Sequence, residues 1–230
     1  MVVSRAQKKH AAARPTIWRA VPVHYISSNR VIPYTGRAAV PPVSLADYHP
    51  PSDGTGGYTA SKWASERFLE TPARHRGGRR WDAPSVVVYR PCALVGEDAP
   101  PEDAMNGLIR TAARIRAVPH TPNVEGYVDF HDVRVVARDI GRQVLPTTEG
   151  QVPQPCRFVH YSSGCKVPAG RLASHMEALQ GGTFREIHMV DWLVEAGKAG
   201  LDPLAAVYLE AMMDQEVTSA YPYMGEELDS

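Results

Sequence analysis

The chain has 230 residues, 43% of them hydrophobic and 22% charged. These ordinary globular values exclude a mostly disordered chain, a coiled coil and a collagen-like repeat. Its 25 basic residues balance 25 acidic ones, whereas a dedicated nucleic-acid binder would carry a basic surplus. No apolar run approaches the roughly 20 residues that cross a bilayer, and residues 1–20 lack the apolar stretch of a signal peptide. Cys92, Cys156 and Cys165 have no metal-type spacing and form no even disulfide set. The expectation is a cytoplasmic protein with free thiols, no metal, and neither a nucleic-acid nor a membrane partner.

The charge is unevenly placed. Residues 1–20 contain Arg5, Lys8, Lys9, Arg14 and Arg19 and no acid. They read as an unstructured basic segment or, alternatively, as an organelle transit peptide, since such peptides are Arg-rich and acid-poor. Arg74, Arg76, Arg79 and Arg80 make a second basic cluster, expected in a solvated loop. After Lys198 only acids follow, from Asp202 to Asp229, which reads as an acidic helix and tail.

In chain order, Val21–Ile26 is a short β-branched run closed by Ser27-Ser28-Asn29, a buried strand entering a loop. Residues 30–57 are rich in Pro and Gly and read as a long loop. Tyr58–Glu70 reads as a helix ending before Pro72. Ser85–Tyr89, with three consecutive valines, is the clearest strand, expected to stop at Arg90-Pro91 because proline cannot donate to a ladder. Ala104–Val118 is predicted helical up to Pro119, Tyr127–Phe130 a strand and Val133–Leu145 a helix. Beyond a Pro-rich linker at 146–155 come a strand at Arg157–Tyr161 and a helix at Gly170–Gln180 closed by Gly181-Gly182. A strand at Phe184–Met189 and helices at about Asp191–Gly200 and Pro203–Gln215 follow. Strands alternating with helices predict an α/β fold with a mostly parallel sheet.

The chemistry concentrates at Tyr58-Thr59-Ala60-Ser61-Lys62. Residues four apart share one helix face. An ammonium beside a phenol favours the phenolate and lowers its pKa, making the tyrosine a usable general acid near neutral pH. A Tyr/Lys spacing is common by itself, and a surface helix with a lysine beside a ring gives it too. Order adds weight: a strand ending in Ser27-Ser28 precedes the motif, and a strand running into Arg90-Pro91-Cys92-Ala93-Leu94-Val95-Gly96 follows it.

Strand–Ser, Tyr-x-x-x-Lys helix and strand–Arg-Pro-x-x-x-x-Gly together resemble the second half of an extended short-chain dehydrogenase/reductase. Val128–Val133 is similar to that family's strand-to-helix acidic turn. Val21–Val31, Gly57–Glu66, Phe158–Gly164 and Tyr221–Glu226 narrow the resemblance. They are similar to the terminal thioester reductase domains of nonribosomal peptide synthetases and of polyketide synthase–peptide synthetase hybrids.

The resemblance implies a fold, a site and a reaction. The fold is a partial Rossmann-like parallel sheet over residues 21–150, following a non-family segment at 1–20. A small, mainly helical C-terminal lobe over 151–230 would cover the cleft. Ser28 would hydrogen-bond the substrate carbonyl oxygen, with Ser27 as the other candidate for that role. Tyr58 would protonate that oxygen, and Lys62 would hold the nicotinamide ribose and lower the Tyr58 pKa. Pro91, Cys92, Ala93 and Leu94 would contact the nicotinamide end of NADPH. The partner would be a carrier protein presenting an acyl or peptidyl thioester on phosphopantetheine, released as an aldehyde or alcohol.

His24, His131 and His160 read as core or edge histidines, and nothing around Cys92 suggests an activated nucleophile. A glycine-rich strand–turn–helix for the pyrophosphate is missing from the sequence. This predicts a fragment or split domain, with a separate chain supplying the first half, an exposed edge at Val21–Ile26 and weak NADPH binding. Two other readings stay open: a non-catalytic remnant, and a sugar-nucleotide epimerase or dehydratase of the same superfamily.

Overall fold

Val86, Val87 and Val88 lie in the middle strand of a parallel sheet, where branched side chains pack on both faces. The computed structural model describes residues 21–37, 39–52, 56–74, 85–122, 124–145, 155–163, 166–213 and 218–219. β1 (Val23–Ile26), β2 (Val86–Pro91) and β7 (Cys156–Tyr161) form this sheet in the order β1-β2-β7, every pair parallel. The register runs from Val23↔Val86 to Ile26↔Tyr89 on one side of β2 and from Val86↔Cys156 to Pro91↔Tyr161 on the other. Among the described residues β1 pairs only with β2 and stands at the sheet's edge.

The remaining strands make smaller groups. β3 (Ala93–Val95) pairs parallel with β6 (Tyr127–Asp132), which pairs antiparallel with β8 (Lys166–Pro168). β4 (Ala117–His120) pairs parallel with β9 (Arg185–His188), and β5 (Val124–Glu125) with β10 (Thr218–Ser219). The helices are α1 (Gly57–Arg74), α2 (Ala104–Ile115), α3 (Val133–Val144), α4 (Leu172–Gln180), α5 (Met189–Lys198) and α6 (Pro203–Met213).

Several elements depart from their sequence expectation for local reasons. β2 does not stop at Arg90. The amides of Val86 and Cys92 donate to Pro155 and Tyr161 on the β7 side, so by alternation Pro91 faces the β1 side, where β1 has already ended. Its missing N–H breaks no ladder bond. α1 continues through Pro72 to Arg74; Pro72 removes the donor for the Phe68 carbonyl, and both residues are exposed, so water can replace it. α2 ends three residues early because Arg116 turns left-handed, at φ 54° and ψ 40°, and Val118 and Pro119 become strand. The stretch read as loop contains a 3-10 turn, Asn29–Thr35, closed by Gly36 at φ 61°. The basic cluster at 75–80, the N-terminal segment 1–20 and the tail 220–230 lie outside the described residues.

The largest apolar cluster joins α2 and β4 to α4, α5 and α6 around Trp192, which is fully buried and donates its indole N–H to the Ala117 carbonyl at 2.9 Å. β7, in turn, belongs to the main sheet. Apolar packing therefore does not follow a division of the chain at residue 150.

Candidate active site

The carboxyl ends of β1, β2 and β7 lie side by side, the edge at which open α/β sheets bind ligands. β1 ends at Ile26, so Ser27 and Ser28 are the first residues off the strand. Ser28 has extended dihedrals, φ −154° and ψ 148°, and caps the 3-10 turn by accepting from the Arg30 amide at 3.2 Å. It also acts on the Tyr58 phenol, in the first turn of α1, its hydroxyl favouring the ionised form. Tyr58 is 49% exposed, so the phenol borders both protein and open space.

Lys62, one turn further along α1, donates its ammonium to the Ile26 carbonyl at 3.1 Å. The same nitrogen stands 5.5 Å from the centre of the Tyr25 ring and 5.7 Å from that of Tyr58. Ser28, Tyr58 and Lys62 thus meet at one place, the end of β1 against the start of α1.

The electrostatics differ from the sequence expectation. Burial pushes the Tyr58 phenol above its ordinary value of 10.0. The Ser28 hydroxyl, hydrogen-bonding the phenolate, pulls it down; the neighbouring phenols of Tyr208 and Tyr25 push it up again, and Arg30 lowers it. Lys62 donates to the Ile26 carbonyl and lies 5.7 Å from the centre of the Tyr58 ring, while burial remains the largest influence on the phenol. The phenol is consequently protonated at neutral pH.

The residues expected at the nicotinamide are less open. Pro91, Cys92 and Ala93 are buried and Leu94 is half-buried. Cys92 packs on Val31, Ile32 and Val40, while Leu94 joins the cluster of Tyr89, Val136 and Tyr161. What this segment can offer a ligand is backbone. Burial, then the Asp129 carboxylate, pushes the Cys92 thiol up to about 12, so no nucleophilic thiolate forms near neutral pH.

Ser27 has a different environment from Ser28. It is 3% exposed, and its hydroxyl donates to the buried Glu66 carboxylate. Glu66 also receives Arg90, whose Nη2 lies 2.7 Å from Oε2. The role of Glu66 was missed in the sequence, although it stands four residues after Lys62 and so shares that helix face. Asp129 is a second buried carboxylate, fully engaged by the Ser162 hydroxyl and by the amide and hydroxyl of Ser163.

His24 and His160 sit in protein contacts. His24 Nδ1 is 2.9 Å from the Tyr89 hydroxyl, and His160 Nε2 is 3.2 Å from Arg90 Nη1. Among the described residues no three His, Cys, Asp or Glu side chains are grouped to hold a metal ion. Nor is any described helix long and apolar enough to cross a membrane.

No family model matches the chain. It is 49% identical over 215 residues to the hybrid PKS-NRPS synthetase 1 of Dothistroma septosporum, an alignment covering 91% of this chain and 5% of that protein. The chain is a homologue of the hybrid PKS-NRPS synthetases. It spans a small part of their length. A second relative, 37% identical over 222 residues, is the cyclo-acetoacetyl-L-tryptophan synthase of Aspergillus oryzae, with 94% of this chain and 6% of that protein aligned. Among solved structures, the terminal R domain from the myxalamid PKS-NRPS biosynthetic pathway superposes with a TM-score of 0.55 at 23% identity. That superposition covers 88% of this chain and 48% of the other. The α/β fold is therefore the one seen in that terminal R domain and in the PhqB reductase domain of Penicillium fellutanum, which superposes with a TM-score of 0.52 at 17% identity and covers 89% of this chain and 53% of that one.

Proposed function

We propose that this synthetase segment acts on an acyl or peptidyl thioester carried on phosphopantetheine and releases it reductively, using NADPH. The observation that carries the reading is the meeting of Ser28, Tyr58 and Lys62 at the carboxyl end of β1. The Ser28 hydroxyl at the end of β1 and the protonated Tyr58 phenol at the start of α1 are two O–H donors facing one cleft, where Lys62 joins helix to strand. A thioester carbonyl oxygen placed against both accepts two hydrogen bonds, and both strengthen as that oxygen gains charge. Tyr58 then gives its proton to the oxygen.

Tyr58, half exposed, and Lys62 would hold the ribose end of a nicotinamide cofactor, and Pro91–Leu94 would offer it backbone groups. Bound NADPH supplies the hydride. In the net reaction a C–H bond forms at the carbonyl carbon, the C–S bond breaks and the thiol leaves with a proton, giving the aldehyde; a second hydride gives the alcohol. For the pyrophosphate half of the cofactor the sequence holds no glycine-rich turn. This chain therefore grips NADPH at one end only, unless a further strand–turn–helix unit or a separate chain joins it. The carrier protein is the proposed delivery partner.

A second reading is cyclising release. It is favoured by the relative whose name describes a cyclised acetoacetyl-tryptophan and by the raised Tyr58 pKa, which suits an oxyanion-binding donor better than a rapid proton donor. There a substrate carbanion attacks the thioester carbonyl, a C–C bond forms and the thiolate departs, with no hydride. Product analysis with an acyl-aminoacyl pantetheine thioester separates the two. Aldehyde formed with equimolar NADPH loss supports reduction; a ring formed at the same rate without NADPH supports cyclisation.

A further inference from the structure

We infer that Ser27, Glu66 and Arg90 form a buried positioning device that holds Ser28, at the end of β1, against the Tyr58 end of α1, with Ser27 a positioning residue and not the hydroxyl that meets substrate. The inference rests on the Ser28–Tyr58 reading of the site and adds three residues beneath it.

The geometry is specific. Glu66 lies on α1 one turn beyond Lys62 and two turns beyond Tyr58, and its side chain is 4% exposed. Its Oε1 accepts from the Ser27 hydroxyl and from Arg90 Nε at 3.1 Å, and its Oε2 from Arg90 Nε at 3.2 Å and Nη2 at 2.7 Å. One carboxylate thus joins the helix bearing Tyr58 to the end of β1 and the end of β2.

Arg90 extends the network. Its side chain has no exposure, and its Nη1 donates to the Val43 carbonyl at 2.9 Å and to His160 Nε2 at 3.2 Å. Its guanidinium lies over the Phe158 ring at 4.6 Å. Strands β1, β2 and β7 and the loop after the 3-10 turn therefore all reach Glu66 directly or through one arginine. Bidentate pairing to a planar guanidinium fixes direction as well as distance.

Ser27 and Ser28 are adjacent, so pinning one places the other. Ser27 N donates to Tyr89 O at 2.7 Å, which fixes its backbone, and its side chain points into the network. With that hydroxyl committed to a buried carboxylate, Ser28 is the hydroxyl left at the Tyr58 phenol. α1 is held to β1 twice along one face, by Lys62 to Ile26 and by Glu66 to Ser27. A slide of the helix by a fraction of a turn would break both contacts and part Tyr58 from Ser28.

The test reads the Tyr58 phenol itself and needs no turnover. 3-Fluorotyrosine placed at position 58 of the full chain is titrated by fluorine NMR, its phenol ionising at lower pH than tyrosine. Ser28→Ala is expected to move the midpoint upward by removing the hydrogen bond to the phenolate. Ser27→Ala, a small change that leaves the Glu66–Arg90 pair in place, is expected to move it the same way. Ser27→Ala/Ser28→Ala is expected to go no further than Ser28→Ala alone. Arg90→Met/Glu66→Gln, which removes both charges together, is expected to match Ser27→Ala. A Ser27→Ala midpoint equal to that of the unsubstituted chain, or a double variant whose shift is the sum of the two, overturns the inference. Loss of hydride transfer with these shifts intact would count against the reductase reading and leave the positioning device standing.

Discussion

The Lys62 ammonium donates to the Ile26 carbonyl at 3.1 Å while standing 5.7 Å from the centre of the Tyr58 ring. Helix α1 and strand β1, joined in sequence by a long loop, are thereby closed onto each other at the residues proposed to act. Lys62 does two things in one position: it ties the halves of the site together, and it keeps a positive charge where a ribose hydroxyl and a phenol would meet.

Tyr58→Phe is expected to lower thioester release by roughly 10²–10⁴-fold, the usual worth of a positioned proton donor. Because the phenol is half exposed, folding stability should change by no more than about 1 kcal/mol. Release kinetics and urea unfolding of the same variant check both halves of this expectation.

Arg90→Met should be among the most destabilising single changes in the chain. It strands the Glu66 carboxylate in a buried site, at about 3–5 kcal/mol. Arg90→Met/Glu66→Gln should recover part of that loss, since no unpaired charge remains. Denaturant midpoints of the two variants measure the recovery.

Burial, then Arg90, holds His160 down to about 3 from its ordinary 6.5. With Arg90 as donor, Nε2 is the acceptor and Nδ1 carries the proton. The unfolded chain binds a proton below pH 6.5 that the folded chain refuses until about pH 3. Stability from this residue is thus full above the unfolded value and declines as pH falls between the two, by on the order of a few kcal/mol. His160→Gln should flatten that part of the stability–pH curve, measured by urea unfolding from neutral to acid pH.

Cys92 should resist alkylation in the folded chain at pH 8 and react fully in denaturant, because its thiol is buried and pushed up to about 12. Mass spectrometry of the alkylated peptide reads this directly. A Cys92 that reacts as fast as a free thiol would show that the segment opens to solvent.

Much of the site was legible in the sequence because it rests on short-range patterns. Tyr58 and Lys62 share a helix face by spacing alone, and Ser27-Ser28 close an unmistakable strand. Two things were not legible. The direction of the Tyr58 shift depends on burial and on Tyr208, 150 positions away in the chain, which no local pattern reports. The Glu66–Arg90 pair depends on the register of β1, β2 and β7, and only that register brings Ser27, His160 and Val43 to the same point. The strands β3, β4 and β8 were missed for the same reason: each is three or four residues long and exists through its partner.

Calorimetric titration with NADPH should show binding weaker than micromolar, since several charge-assisted phosphate hydrogen bonds at about 1.5–3 kcal/mol each have no donors in a glycine-rich turn here. Micromolar binding by the chain alone would mean that another segment cradles the pyrophosphate.

Incubating the chain with a pantetheine thioester and millimolar NADPH, and quantifying aldehyde, alcohol, ring product and NADPH together, tests the central claim most directly. Reductive release predicts one NADPH consumed per aldehyde or two per alcohol, with the rate collapsing in Tyr58→Phe. Thioester loss that is independent of NADPH, or an unchanged rate in Tyr58→Phe, would contradict it.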